Sequence, residues 1–152
     1  MKLSQNFSVD EFLYSSTAAR LGYKVGPLDR WTWEQIQRLV DTCLQPARDA
    51  LGVPFVITSG FRPPWLNTHI RGAKDSRHMY GCAVDFKTPT MAQPKAFQQI
   101  REMNLPIDQL ILEDPPQGWL HLGVALPGQK ARKEYMIATR TADGRMAYRH
   151  AE

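Results

Sequence analysis

Residues 76–85 read Ser76-Arg77-His78-Met79-Tyr80-Gly81-Cys82-Ala83-Val84-Asp85, and they predict a β-strand that runs from Tyr80 to Phe86. Successive side chains of a strand point to opposite faces of the sheet. One face of this strand is apolar and is expected to pack on the core; it consists of Cys82, Val84 and Phe86. The other face carries only small residues before its carboxylate; it consists of Gly81, Ala83 and Asp85. This second face therefore leaves room for a metal ion beside Asp85.

A second strand with the same arrangement is predicted at residues 119–125. Its core-facing residues are Leu120, Leu122 and Val124. His121 then points to the other face, beside the small residue Gly123, and His78 precedes the first strand, where a loop can fold it back toward Asp85. Two imidazoles and one carboxylate suit Zn²⁺, and three protein ligands leave the fourth tetrahedral position to water, as in catalytic sites. The sequence therefore predicts a hydrolase that binds one Zn²⁺ per chain through His78, Asp85 and His121.

Helices are predicted mainly in the first half of the chain. A capping box at residues 8–11 predicts a short helix through Tyr14, and a surface loop is predicted at residues 21–30. A second capping box at residues 32–35 predicts a longer helix, with a kink or break near Pro46. A short helix is predicted at residues 65–68, and Pro94 fits the first turn of a further helix. Strands are predicted at residues 53–58, 107–113, 119–125, 134–140 and 145–149, the last two joined by the turn Asp143-Gly144. Helices followed by a mainly antiparallel sheet indicate an α+β fold, and we expect one domain over residues 1–152.

Composition limits the partners of the chain. Its 19 basic and 15 acidic residues give a formal net charge of +4, which suits an anionic partner such as cell wall. The basic residues are scattered without interleaved aromatic residues, so we expect no binding to nucleic acid. Cys43 and Cys82 are interpreted as buried apolar residues, and His69 and His150 as surface residues. The N-terminus has no apolar signal segment and no run is long enough to span a membrane, so we expect a cytoplasmic monomer with no membrane partner.

The motif Ser76-x-His78-x-x-Gly81-x-Ala83-x-Asp85, together with Trp119-x-His121, resembles peptidase family M15, the zinc D-Ala-D-Ala carboxypeptidases. That family includes VanX-type dipeptidases and the L-alanyl-D-glutamate endopeptidases of bacteriophage endolysins. Three further segments resemble its small phage and prophage branch; they are residues 7–12, 44–48 and 57–64. The resemblance implies a hedgehog/DD-peptidase-like α+β fold and a peptidoglycan stem-peptide substrate. It also implies that the zinc ligands are His78, Asp85 and His121.

The resemblance carries three further residues into the site. Arg62, in the sequence Ser59-Gly60-Phe61-Arg62, corresponds to a residue that contacts the substrate and the oxyanion, although a structural salt bridge is the alternative. Ser76 is a motif residue expected to support the site through hydrogen bonding. Trp119 is expected to line the cleft, or else to be an ordinary packing residue.

The expected sequence position of the general base differs between two branches of this family. VanX-like members place a catalytic Glu three residues before the second His, and this chain has Gly118 there. The phage-like branch places its Glu at the end of the preceding strand, which corresponds to Glu113. If Glu113 pairs with Trp119 in a hairpin, it shares a face with His121, whereas a register slip of one residue presents Asp114 instead. The candidates are therefore, in order, Glu113, Asp114 and Asp108.

The combined expectation is a zinc-dependent peptidase that hydrolyses an amide bond of the bacterial stem peptide. Both D-Ala-D-Ala carboxypeptidase and L-Ala-D-Glu endopeptidase activity stay open. A phage or prophage lysis enzyme that reaches the wall after membrane permeabilisation fits this expectation, as does a virion-associated enzyme. The alternative is a catalytically inactive module that keeps the fold and zinc and binds the cell wall.

Overall fold

A six-stranded sheet forms the centre of the structure, a computed structural model that describes residues 1–152. The strands are β1 (Val56–Ser59), β2 (Ala83–Lys87), β3 (Gln109–Glu113), β4 (Trp119–Gly123), β5 (Glu134–Arg140) and β6 (Met146–His150). Their order in the sheet is β1-β2-β4-β3-β5-β6. Every neighbouring pair is antiparallel except β3 and β5, which are parallel. The predicted α+β class with a mainly antiparallel sheet is confirmed.

Six α-helices accompany the sheet, most of them before it in the sequence. They are α1 (Val9–Leu13), α2 (Ser16–Leu21), α3 (Arg30–Leu39), α4 (Gln45–Leu51), α5 (Pro64–His69) and α6 (Gln93–Glu102). The apolar face of the sheet packs against α1, α3, α4 and α6 in one core, in which the side chains of Val84, Leu110, Leu120 and Leu122 are fully buried. The opposite face carries Asp85, His121 and Glu113 and is free for a functional site.

Capping interactions mark the starts of α1 and α3, but one of the two predicted capping boxes is wrong. The capping box of α1 is present, and Glu11 Oε2 accepts a hydrogen bond from the backbone N–H of Ser8 at 3.4 Å. The predicted box at residues 32–35 does not begin α3, which starts at Arg30 instead. Asp29 Oδ1 accepts a hydrogen bond from the backbone N–H of Thr32 at 2.7 Å, so the stronger cap lies three residues earlier. The predicted loop at residues 21–30 is correspondingly shorter, and α2 before it was not predicted.

The irregularity predicted near Pro46 is present as a π-helical segment. Helix α3 passes into π-helical residues Val40–Leu44 and then into α4, with Pro46 in the first turn of α4. Proline has no backbone N–H, and its ring clashes with the carbonyl of residue i−4 in a regular helix. The wider π turn is consistent with that conflict, and it leaves the helix continuous rather than broken.

The start of β2 differs from its prediction. Residues Arg77–Tyr80 form a 3₁₀ turn, and Gly81 follows it in the left-handed region with φ 71°. The strand therefore begins at Ala83, and Gly81 is not a small residue on the metal face. A Cβ at Gly81 would lie 2.9 Å from Ile36 Cγ1 and from the Thr32 carbonyl oxygen, so glycine is required by backbone conformation and by the approach of α3.

Several smaller predictions can be compared directly with the structure. The alternation on β2 is confirmed, since Cys82, Val84 and Phe86 belong to the core. Cys43 and Cys82 are both buried free thiols, as predicted. His69 and His150 lie at the surface, also as predicted. None of the helices combines the length and apolar composition that crossing a membrane requires.

Candidate metal centre and active site

Three side chains converge on the face of the sheet that points away from the core. The carboxylate Oδ1 of Asp85 lies 2.9 Å from Nδ1 of His121 and 3.3 Å from Nε2 of His78. One ligand atom from each of the three residues lies within 4.8 Å of the other two. The structure therefore brings together the three residues that the sequence predicted as metal ligands.

Sheet pairing brings two of these residues together. Asp85 on β2 is directly opposite His121 on the antiparallel strand β4. Directly opposed residues place their side chains on the same face of the sheet, a few ångströms apart. Gly123 lies two residues beyond His121, and a Cβ there would lie 3.7 Å from His121 Nε2. That distance is an ordinary van der Waals contact, so an alanine would also fit at this position.

His78 is held by the turn that precedes β2. Its backbone N–H donates a hydrogen bond to Ser76 Oγ at 3.3 Å, which caps the 3₁₀ turn. Its Nδ1 lies 2.8 Å from the carbonyl oxygen of Gly60 and can donate a hydrogen bond to that oxygen, so Nε2 is the nitrogen that faces Asp85. Metal-binding histidines commonly donate their second ring N–H in this way, which fixes both tautomer and ring orientation.

These three residues fit a zinc ion. Zinc–nitrogen and zinc–oxygen distances near 2.1 Å with tetrahedral angles place neighbouring ligand atoms about 3.4 Å apart. The two distances to Asp85 Oδ1, 2.9 and 3.3 Å, are close to that spacing. Burial alone would raise the pKa of Asp85, but the charge of His78 and the hydrogen bond from His121 outweigh it and hold that pKa well below its ordinary value. The carboxylate is therefore available in the ionised form that a cation requires.

Arg62 flanks the second oxygen of the same carboxylate. Its Nη2 lies 4.0 Å from Asp85 Oδ2, and only 12% of its side chain is exposed. Nη1 donates to Asn67 Oδ1 at 3.2 Å and Nη2 donates to Ser59 Oγ at 3.3 Å. Burial lowers the pKa of Arg62, while the charge of Asp85 opposes that shift. The guanidinium is thus anchored by the fold beside Asp85, and the small pocket of about 120 Å³ that it lines includes none of the three converging residues.

Glu113 lies on the same face as the ligand set. It ends β3 and is directly opposite Trp119, and Ile111 is opposite His121, which is the hairpin register considered from the sequence. Only 9% of Glu113 is exposed. Burial, and next to it the negative charge of Asp85, raises the pKa of Glu113 to about 7, against the opposing charges of His121, Arg62 and Arg140. A carboxyl group with such a pKa can exchange a proton near neutral pH.

The two other candidates for the base are engaged elsewhere. Asp114 has a left-handed backbone with φ 51°, and its side chain lies 3.6 Å from Arg140 at the surface. Asp108 is almost fully buried and accepts hydrogen bonds from the Arg132 backbone N–H at 2.9 Å and from Arg132 Nη2 at 2.9 Å. Neither Asp114 nor Asp108 lines the cleft that Glu113 shares with His121.

The loop between β3 and β4 accounts for the departure from VanX-like members. A Cβ at Gly118 would overlap the backbone carbonyl oxygen of Glu113. No side chain can therefore stand at residue 118 in this turn, and a glutamate three residues before His121 is sterically excluded. The carboxylate on this face comes from Glu113 on the neighbouring strand instead.

A cleft of about 590 Å³ opens over the site and includes residues that the sequence did not indicate. His121, Glu113 and Ser76 line it, and Trp119 does not. Further lining residues come from β5 and β6; they are Glu134, Met136 and Tyr148. The turn Asp143-Gly144 predicted the hairpin itself, but nothing in the sequence indicated that β5 would pair with β3 and bring the hairpin to the cleft.

A profile of the Peptidase M15 family matches residues 5–123 of this chain, from before α1 to the end of β4. The chain belongs to the peptidase M15 family. The M15 family consists of zinc-dependent metallopeptidases, and the matched segment contains all three converging ligands as well as Arg62 and Glu113. The hairpin of β5 and β6 lies outside the matched segment. A search of curated proteins found no match to this chain.

Proposed function

We propose that the protein is a zinc-dependent peptidoglycan peptidase that hydrolyses an amide bond in the stem peptide of the bacterial cell wall. One observation carries this proposal: a buried carboxylic acid, Glu113, lies on the same sheet face as the converging residues His78, Asp85 and His121. Family membership supports the substrate class, since stem-peptide hydrolysis is what the M15 resemblance implies. D-Ala-D-Ala carboxypeptidase and L-Ala-D-Glu endopeptidase specificity both remain compatible with this site.

Each residue has a defined task in the proposed reaction. His78, Asp85 and His121 would hold one zinc ion, which when bound supplies Lewis acidity that polarises a carbonyl and lowers the pKa of water. The Glu113 carboxylate accepts a proton from the attacking water and delivers it to the leaving nitrogen. The Arg62 guanidinium, already fixed by Asn67 and Ser59, stabilises negative charge on the carbonyl oxygen or holds a substrate carboxylate.

Metal content and bond cleavage test the proposal together. Elemental analysis of the purified protein should give about one zinc per chain, and the double variant His78→Ala/His121→Ala should lose it. Purified sacculi should release fragments whose masses, read by mass spectrometry, identify the bond that is cut. Unchanged zinc content in the double variant would refute the ligand set. Zinc-loaded protein that binds sacculi but releases no fragment would instead indicate a wall-binding module.

A role in phage or prophage lysis is part of this proposal and rests on the resemblance to the small phage branch. The enzyme would reach the wall after membrane permeabilisation or as part of a virion. Expression inside a bacterial cell with and without a membrane-permeabilising protein tests the first route. Lysis that requires the permeabilising protein and disappears in the Glu113→Gln variant would support it, and lysis without that protein would contradict it.

A further inference from the structure

The β5–β6 hairpin forms one wall of the cleft over the site, although it lies outside the segment that the M15 profile matches. Its strands, Glu134–Arg140 and Met146–His150, join the sheet only through the parallel pairing of β5 with β3. That pairing places the hairpin directly beside the strand that ends in Glu113. The hairpin therefore contributes residues to the cleft that Glu113 and His121 line.

One row of residues crosses the three strands at the level of Glu113. Glu113 is opposite Ala138 on β5, and Ala138 is opposite Tyr148 on β6. Residues in such a row point to the same face, and two strand spacings separate the outer members by about 10 Å. Ala138 is small, so its own side chain does not separate Tyr148 from Glu113.

Tyr148 is placed to contact a ligand in the cleft. It lines the same cleft as His121 and Glu113, yet 53% of the residue is exposed. Partial burial, followed by the charges of Glu113 and Asp85, raises the pKa of Tyr148, so its hydroxyl is protonated and can donate a hydrogen bond. A half-exposed tyrosine offers an apolar ring and a polar tip, a combination that binding sites use often.

We propose that Tyr148 is a substrate-binding residue, which packs its ring along the bound stem peptide and donates its hydroxyl to a carbonyl or carboxylate oxygen of that peptide. This inference rests on the proposed peptidase function. In this arrangement the β5–β6 hairpin binds the part of the stem peptide that extends from the bond being cut, over Ala138, toward Tyr148. Tyr148 contributes to affinity, and the catalytic step stays with Glu113.

Steady-state kinetics of two variants test the inference on soluble muropeptides, prepared from purified peptidoglycan with a glycosidase. Tyr148→Phe removes only the hydroxyl and should raise KM about two- to tenfold, the effect of one lost hydrogen bond. Tyr148→Ala also removes the ring and should raise KM further. In both variants kcat should change by less than about twofold, and zinc content and Tm should match the wild type. Arg149→Ala is the matched control, because Arg149 is the exposed neighbour on β6 with opposite side-chain direction.

Binding measured without turnover separates this inference from the proposed function. In calorimetric titrations with the same muropeptides, the zinc-loaded double variant Glu113→Gln/Tyr148→Phe should bind with a higher Kd than the zinc-loaded Glu113→Gln variant. A wild-type enzyme that cleaves muropeptides while both Tyr148 variants keep its KM would overturn the role of Tyr148 alone. An equal KM rise in Arg149→Ala would also overturn it, because the effect would then belong to the hairpin as a whole. A wild type that neither binds nor cleaves muropeptides would refute the proposed function and this inference with it.

Discussion

At the residue scale, Glu113 combines burial with a place beside other charges. A carboxyl group that is only 9% exposed loses hydration when it ionises, and the nearby Asp85 carboxylate adds repulsion. Both effects stabilise the protonated form, which gives the group a pKa of about 7. Asp85 is also largely buried but faces two imidazoles, and its pKa moves in the opposite direction. Two carboxylates on one sheet face are therefore suited to different tasks, proton transfer and metal binding.

Replacing Glu113 with glutamine should abolish most activity without loss of the fold. Glutamine keeps the shape of the side chain but cannot accept a proton, and removal of a positioned acid–base group costs about 10²–10⁴-fold in rate. Muropeptide release by Glu113→Gln should fall by that order while zinc content stays at the wild-type level. Asp114→Asn is the matched control, since Asp114 pairs with Arg140 at the surface and should be nearly neutral. An inactive Asp114→Asn beside an active Glu113→Gln would reverse the assignment.

Burial of Glu113 also predicts a pH effect on stability in the metal-free protein. The pKa of Glu113 is raised in the folded state, so the unfolded chain releases the proton at lower pH than the folded chain. Its contribution to stability should therefore be full below the ordinary glutamate pKa of 4.5 and should be lost as pH rises to about 7. Chemical denaturation should show Glu113→Gln gaining stability over wild type at pH 8 but not at pH 4. A stability difference that does not change with pH would contradict this.

At the element scale, the junction between the 3₁₀ turn and β2 orients His78. Ser76 caps the turn, and Gly81 reverses the chain into β2 with φ 71°. The short turn thus brings His78 and Asp85 together although six residues lie between them in the sequence. Helix α3 packs directly on this junction, because the Thr32 carbonyl oxygen and Ile36 approach Gly81 closely. The core helices therefore help determine the position of His78, a proposed metal ligand.

Gly81→Ala should destabilise the protein and weaken zinc binding. Its new Cβ would meet Ile36 and Thr32 at 2.9 Å in addition to the cost of a left-handed alanine, and overpacking of this kind costs about 1–3 kcal/mol. Gly144→Ala is the matched control, since Gly144 also has a positive φ, 85°, but nothing lies within 4 Å of its Cβ position. Thermal denaturation and zinc titration of both variants separate the two effects. Equal losses in the two variants would show that only backbone strain matters.

At the scale of the whole molecule, the parallel pairing of β3 with β5 attaches the last two strands to the rest of the sheet. Asp108, just before β3, accepts hydrogen bonds from the backbone and side chain of Arg132, just before β5. The backbone N–H of Glu134 donates to the Asp108 carbonyl oxygen, and that of Lys133 donates to the carbonyl oxygen of Ile107. This set of bonds connects the cleft wall to the catalytic sheet.

Asp108→Asn should lower stability at neutral pH and much less in acid. Burial would raise the pKa of Asp108, but its hydrogen bonds with Arg132 outweigh that effect and lower it. The ionised pair therefore stabilises the fold above the ordinary aspartate pKa near 4, and this contribution is lost as pH falls through the lowered value. Because Arg132 is half-exposed, the loss at pH 7 should be about 1–2 kcal/mol in chemical denaturation. Asp10→Asn, at an exposed position of α1 where the carboxylate makes no hydrogen bond or ion pair, should show no comparable effect. A loss at pH 7 that persists at pH 2 would contradict the ion pair.

Local patterns in the sequence predicted the α+β class and the side-chain alternation on β2 and β4, which follows from a strand period of two. They favoured the register that pairs Glu113 with Trp119 but left a one-residue slip open, and the structure shows the favoured register. Only the tertiary structure decided the contact of His78 with the Gly60 carbonyl, the packing of α3 on Gly81, the pairing of Asp108 with Arg132, and the approach of Tyr148 to the cleft. Each of these depends on which distant segments become neighbours. The parallel pairing of β3 with β5 has no local signal, since two strands separated by a long connection can join either edge of the sheet.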